Sequence, residues 1–165
     1  MRSAIAEHHP WSAIVSSSLQ RCAAFAEEVA TRHQLPLTQD QQLMELGFGE
    51  WEGKTAQQLM EEDPEALNNF WQDPINNPPP GGETLAYFRK RVLKGWQNAI
   101  TQHRGEHILM VGHAGMMRMI IREVLGMPLE NMFRLHIPNA GITRISIDHN
   151  ENGDLPRLHF HVGQL

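Results

Sequence analysis

Two short stretches of the sequence combine small residues with a group that can hold or transfer charge. Ser16-Ser17-Ser18-Leu19-Gln20-Arg21 ends in an arginine, whose planar fork of donors matches the oxygens of a phosphate. Gly112-His113-Ala114-Gly115 sets a histidine among residues small enough for an anion to approach the amides of a helix N-terminus. The histidine adds a donor whose charge switches near neutral pH. Arg21, His113 and the Ala114 amide together describe an anion pocket with acid–base capability. A third stretch, Leu43 to Gly53, packs three glycines, two aromatics and three carboxylates into eleven residues, which makes a sharply turning loop. A carboxylate of that loop facing the pocket is a candidate proton donor, because cleaving a phosphate ester must protonate the departing oxygen. The residues alone leave Glu45, Glu50 and Glu52 open. Taken singly, such an arginine and such carboxylates are ordinarily solvated. Only convergence makes them a site.

The elements that must bring them together are legible. Ala13-Ile14-Val15 is a short apolar run, followed by Leu19, Cys22, Ala26, Val29 and Ala30 at helical intervals. Ser17 or Ser18 is placed to cap that helix. Asn76-Asn77-Pro78-Pro79-Pro80-Gly81-Gly82 is a loop, since successive prolines lack amide donors. Glu83 to about His103 reads as a second helix with Leu85, Phe88, Val92, Trp96 and Ile100 on one face, and Glu83 in its first turn suits the helix dipole. Ile108 to Val111 is an uninterrupted apolar run, the pattern of a strand buried on both faces. A helix rich in Met and Ile follows to Leu125, stopped by Gly126 and Pro128. Ile142 to Ile147 alternates like a half-buried strand, and Leu158 to Val162 reads as another. Strand–helix units of this kind predict an α/β fold, a mostly parallel sheet flanked by helices in three layers. In such sheets ligands bind beyond the carboxyl ends of the strands, which is where Arg21 and His113 fall.

The chain of 165 residues is 41% hydrophobic and 20% charged, which suits one globular domain rather than a disordered segment. A net charge of −5 argues against nucleic acid or anionic lipid as a partner. Cys22 is the single cysteine, so no intramolecular disulfide is available. Met1 to His9 is polar and unlike a signal peptide, and no run approaches the roughly 20 apolar residues of a membrane span. The expectation is a soluble, cytoplasmic chain. His159 and His161 share a strand face, yet a lone H-x-H falls short of a structural zinc site, so no metal is expected. The nine methionines read as core.

Ser16 to Cys22, Glu45 to Gly53, Gly82-Glu83-Thr84 and Val111 to Arg118, in that order and spacing, resemble the histidine phosphatase superfamily, the phosphoglycerate mutase-like group. The wording Leu-Gln-Arg-Cys and Phe-Gly-Glu-Trp-Glu is nearest its α-ribazole phosphatase branch, of cobalamin assembly. The resemblance implies a phosphoglycerate mutase-like domain over residues 1–165, with 54–82 as an active-site lid bearing Phe70 and Trp71. It implies a phosphomonoesterase acting on a small phosphorylated metabolite, with no cofactor. Arg21 then matches the second phosphate-binding arginine, Glu45 the proton donor and His113 the second histidine, which contacts the phosphoryl group. Ser17 and Glu83 occupy motif positions, and Ser18 stands where the family commonly has proline.

The family's nucleophile is the histidine of a strand running into Arg-His-Gly, and that triplet occurs nowhere in this sequence. Arg32-His33-Gln34, at the end of the first helix, is the one Arg-His pair and lacks the context. The expectation is therefore a domain incomplete at its N-terminus, without the strand that adjoins Ile108–Val111 and without turnover. An open sheet edge would then be available for pairing with another copy. The competing expectation is a non-catalytic module that binds a phosphate ligand or a protein. Either way phosphate should bind at about millimolar strength, a free energy near −4 kcal/mol. Binding is expected to weaken as His113 loses its charge.

Overall fold

The computed structural model describes residues 10–162. Strand β1 (Ala13–Ser17) is buried along its whole length. It pairs in parallel with β2 (Leu37–Asp40) on one edge and with β3 (Ile108–Val111) on the other. Successive side chains of a strand point to opposite faces, and here each face meets helices. Ile14 packs with Ala26, Val29 and Ala30 of α1 (Gln20–His33), joined by Leu109 and Val111. Val15 faces the other way, onto Leu85, Phe88 and Val92 of α4 (Leu85–Gln102) and Met116, Met119 and Ile120 of α5 (Ala114–Val124). Ile108 and Met110 join that second cluster. The order α1, sheet, α4 with α5 is the three-layer α/β arrangement expected. An all-apolar β3 is required because both of its faces meet a helix. Its four residues are nonetheless half-buried rather than fully buried, because among the described residues β3 has a strand on one edge only.

Four expectations need correcting. The serines do not cap α1: Leu19 is the N-cap, with no side-chain bond, and the Ser17 hydroxyl accepts from the Leu19 amide at 3.3 Å. Helix α4 starts at Leu85 and not at Glu83, because the Thr84 hydroxyl accepts the Tyr87 amide and caps it. Glu83 thereby stands outside the helix. Strand β2 was not anticipated, since Leu-Thr-Gln-Asp neither alternates nor forms an apolar run. It ends at Asp40, whose carboxylate accepts the Gln42 amide at 2.8 Å and starts the 3-10 turn Gln41–Leu43. The C-terminal strands β4 (Ile142–Asn150) and β5 (Gly153–Val162) are longer than expected and form a separate antiparallel hairpin.

Residues 54–82 are mostly helical. Helix α2 (Ala56–Glu62) begins with a Thr55–Gln58 capping box, and α3 (Pro64–Gln72) begins with proline under an Asp63 cap. They fold over Phe70, whose ring meets Phe48, Trp51, Trp71 and Phe133 edge-on. The loop that follows is docked through Gly49, which has φ +54° and a backbone so close to Pro80, Gly81 and Gly82 that a Cβ would collide with all three.

Candidate active site

Arg21 lies in the first turn of α1, exposed, at the carboxyl end of β1. Its Nε donates to Nδ1 of His113 at 3.1 Å. His113 joins β3 to α5 and is 6% exposed. Because Nδ1 accepts from Arg21, the neutral ring carries its proton on Nε2, which donates to the Ser17 hydroxyl at 2.8 Å. Ser17, fully buried at the end of β1, is thus the group that orients the ring. Cys22 packs underneath, its Sγ 3.3 Å from the Gly112 carbonyl and 3.5 Å from His113 Nε2, and burial pushes its thiol pKa up.

Burial, then the charges of Arg21 and Arg91, push the His113 pKa down to about 4. The ring is neutral at neutral pH in the unliganded protein. The charge on which the expected phosphate affinity depends is therefore absent from the free ring at neutral pH.

Of the three loop carboxylates, Glu45 is the one set against α5. Its Oε2 accepts the Gly115 amide at 3.2 Å and its Oε1 the Leu46 amide at 3.0 Å. Glu52 instead accepts the amide of Phe48, and Glu50 lies exposed in a 3-10 turn. A carboxylate on a first-turn amide is also favoured by the helix dipole. Gly115 permits the approach, since a Cβ there would collide with Glu45 Oε1 and stand 3.4 Å from the Phe88 ring. We expect Gly115→Ala to leave stability within about 1 kcal/mol of wild type, the helix gaining from alanine what the contact loses. The carboxylate must move, so the amide at position 115 should exchange with solvent about fivefold faster once its bond of about 1 kcal/mol is gone. Unchanged exchange by NMR would show that Glu45 is not held this way.

The loop carrying Glu45 is fixed by a residue the sequence reading missed. Arg91 of α4 uses all five of its N–H donors. Nε and Nη2 grip the Glu83 carboxylate at 2.6 and 2.7 Å, Nη1 reaches the carbonyls of Gln42 and Met44, and Nη2 also reaches that of Glu45. Glu83 accepts the Gly47 amide as well. Glu83 therefore belongs to this clamp, its carboxylate shared between Arg91 and the Gly47 amide. The one available signal was an arginine two turns into a helix, where side chains lean back toward the N-terminus and whatever precedes it.

Arg21, Ser17, His113, Ala114 and Glu45 converge where β1 and β3 end, and Cys22 lies close enough to feel the charges of both Arg21 and Glu45. Ala114 is half-buried at the start of α5, among the amides that a helix leaves unpaired. The arrangement can hold an anion and present a carboxylic acid beside it. Arg32 and His33 sit in the last turn of α1, with Arg32 paired to Glu28 at 3.0 Å. His159 and His161 bond Ser146 and Thr143 across the hairpin.

The sequence profile of the histidine phosphatase superfamily (branch 1) matches residues 2–155. A putative phosphoserine phosphatase 2 of Hydrogenobacter thermophilus is 31% identical over 135 residues, covering 82% of this chain and 66% of that protein. An adenosylcobalamin/α-ribazole phosphatase of Escherichia coli is 31% identical over 138 residues, covering 82% and 66%. The chain thus spans just under two thirds of the length of each. Among solved structures, Bacillus stearothermophilus YhfR superposes with a TM-score of 0.81 at 28% identity, covering 96% of this chain and 77% of that one. The α-ribazole phosphatase of Shigella flexneri gives 0.71 at 28%, covering 90% and 72%. With a profile match across nearly the whole sequence and the fold shared with these structures, the chain belongs to the histidine phosphatase superfamily.

Proposed function

We propose that the crevice at the ends of β1 and β3 binds the phosphoryl group of a small phosphomonoester, with Glu45 as the acid for the departing alcohol. The observation that supports this most is the Arg21–His113 bond of 3.1 Å beside a carboxylate held on the first turn of α5. In this reading the terminal nitrogens of Arg21 and the Ala114 amide take the phosphoryl oxygens, and residues 54–82 close over them. A bound dianion beside the imidazole raises its pKa, so binding takes up a proton onto His113. The names of the two relatives above bracket the substrate: α-ribazole 5′-phosphate, to which the motif wording also points, and phosphoserine.

Transfer through a phosphohistidine requires a nucleophile, and the chain has no Arg-His-Gly to provide one. His113 is a poor substitute, because Arg21 occupies Nδ1 and Ser17 occupies Nε2. The expected result is binding without turnover. Inorganic phosphate titrated against the protein and followed by NMR should give a Kd of about 1 mM, and Arg21→Ala should weaken it about tenfold, the loss of one charge-assisted bond. The same preparation should not hydrolyse an aryl phosphate above the blank. Equal phosphate binding by wild type and Arg21→Ala would remove the pocket from this place. Robust metal-independent hydrolysis abolished by His113→Ala but unaffected by changes elsewhere would instead make His113 the reacting group.

A further inference from the structure

A second cation lies on the helix whose first turn holds Glu45, and the phosphoryl pocket makes no use of it. Arg118 lies three residues beyond Gly115 on α5, on the same helix face as the amide that holds Glu45. Its half-buried guanidinium is tied down at one point, where Nε donates to the Leu135 carbonyl at 2.8 Å. The guanidinium carbon is 6.0 Å from the centroid of Phe133, the outer limit of cation–π attraction. Phe133 in turn meets the ring of Trp71, which is 54% exposed, at 5.6 Å. Burial lowers the Arg118 pKa while the Glu45 charge opposes that, which places the two groups within electrostatic reach. No salt bridge joins them among the described residues.

Arg118 and Arg91 are both half-buried or more, and the contrast between them is informative. Arg91 has an acceptor for every N–H. Arg118 has none among the described residues for the four protons on its terminal nitrogens. Neither nitrogen is sealed from solvent without a partner. They form an open, two-pronged face of donors next to the proton donor, with an aromatic wall beyond. A half-buried guanidinium is costly to leave in that state unless an anion is brought to it.

We propose that Arg118 is a specificity residue, selecting phosphomonoesters whose alcohol carries a carboxylate close to the ester oxygen. The proposal rests on the phosphoryl-pocket reading above and names its substrate class. A carboxylate accepts two parallel N–H groups at once, and a flat ion suits a face bounded by an aromatic ring. Glu45 supplies the neighbouring acid, so the leaving alcohol has one orientation in which its ester oxygen meets Glu45 and its carboxylate meets Arg118.

O-phosphoserine and O-phosphoethanolamine share phosphate, chain and amine and differ by one carboxylate, so together they test the proposal. Wild-type protein titrated by NMR should bind O-phosphoserine about tenfold more tightly, the effect of one charge-assisted pair. Arg118→Met should reduce that preference below about twofold while leaving inorganic phosphate binding intact. Arg118→Lys, which keeps the charge and the stem but not the fork, should fold in any case and retain only part of the preference. No preference in the wild type, or a full preference in Arg118→Lys and Arg118→Met, overturns the proposal. If inorganic phosphate binding is itself indifferent to Arg21→Ala, the phosphoryl pocket has failed rather than the role of Arg118.

Discussion

Replacing Arg91 by Met is expected to destabilise the protein by about 3–5 kcal/mol, the range seen when one partner of a buried ion pair is removed. The side chains of Arg91 and Glu83 are each 13% exposed, so water cannot replace what is lost. Three carbonyls and a carboxylate would lose their donor together, and an unsatisfied buried acceptor costs about 1–3 kcal/mol. Arg91→Lys should recover only part of this, since one ammonium cannot span acceptors contributed by Gln42, Met44, Glu45 and Glu83. Removing the orphaned charge as well, in Arg91→Met with Glu83→Gln, should restore stability relative to the single variant. Urea unfolding midpoints measure all four proteins. A loss below about 1 kcal/mol for Arg91→Met would put this pair among ordinary surface ion pairs and deny it the positioning of Glu45.

The second large effect is acid destabilisation traceable to one ring. His113 titrates at about 4 in the folded chain against 6.5 for an unperturbed histidine, chiefly because it is buried and then because two arginines repel its charge. As pH falls below 6.5 the unfolded state takes up a proton that the folded state refuses. Stability therefore drops from about pH 6.5 to about pH 4 and levels off below, a loss of about 3 kcal/mol at 1.36 kcal/mol per unit. The carboxylates of Asp73 and Glu106, held below their usual range first by hydrogen bonds from Asn76 and His103, act in the same direction only at the acid end of that window. His113→Gln keeps a donor toward Ser17 and cannot be protonated. Its stability curve should be about 3 kcal/mol flatter between pH 6.5 and 4. Parallel curves for the two proteins would show that His113 is not buried neutral. Saturating phosphate should blunt the wild-type slope, because the bound anion returns the proton that burial excludes.

The strand–helix units were readable because apolar runs and helical periodicity are local signals, and Arg21 and His113 stood at the ends of those runs. Glu45 was not separable from Glu50 and Glu52 by its own surroundings. What distinguishes it is the Gly115 amide, seventy residues along the chain, and no property of the loop encodes that. Family resemblance had to make the choice. Arg91 was invisible for a related reason: three of its four acceptor groups are backbone carbonyls, which every residue possesses. Ser17 was misread because a hydroxyl before a helix normally caps it, and here the imidazole competes for the same oxygen. Glu83 was misread because Thr84 took the cap one residue later.

The central position of β1 has a consequence for how the pocket comes into being. Ser17 and His113 are 96 residues apart, Arg21 and His113 92, and Glu45 and Gly115 70. These contacts require β3 to be seated beside β1, which closes the loop holding α1, β2, α2, α3 and α4. Helices and the β4–β5 hairpin depend on near neighbours and can form early, whereas closing a long loop carries an entropy that must be overcome before its contacts reward it. The pocket is thus complete only once β1 and β3 are paired. A phosphate bound there stitches together segments that are distant in sequence, and so resists opening of the whole domain rather than of one loop.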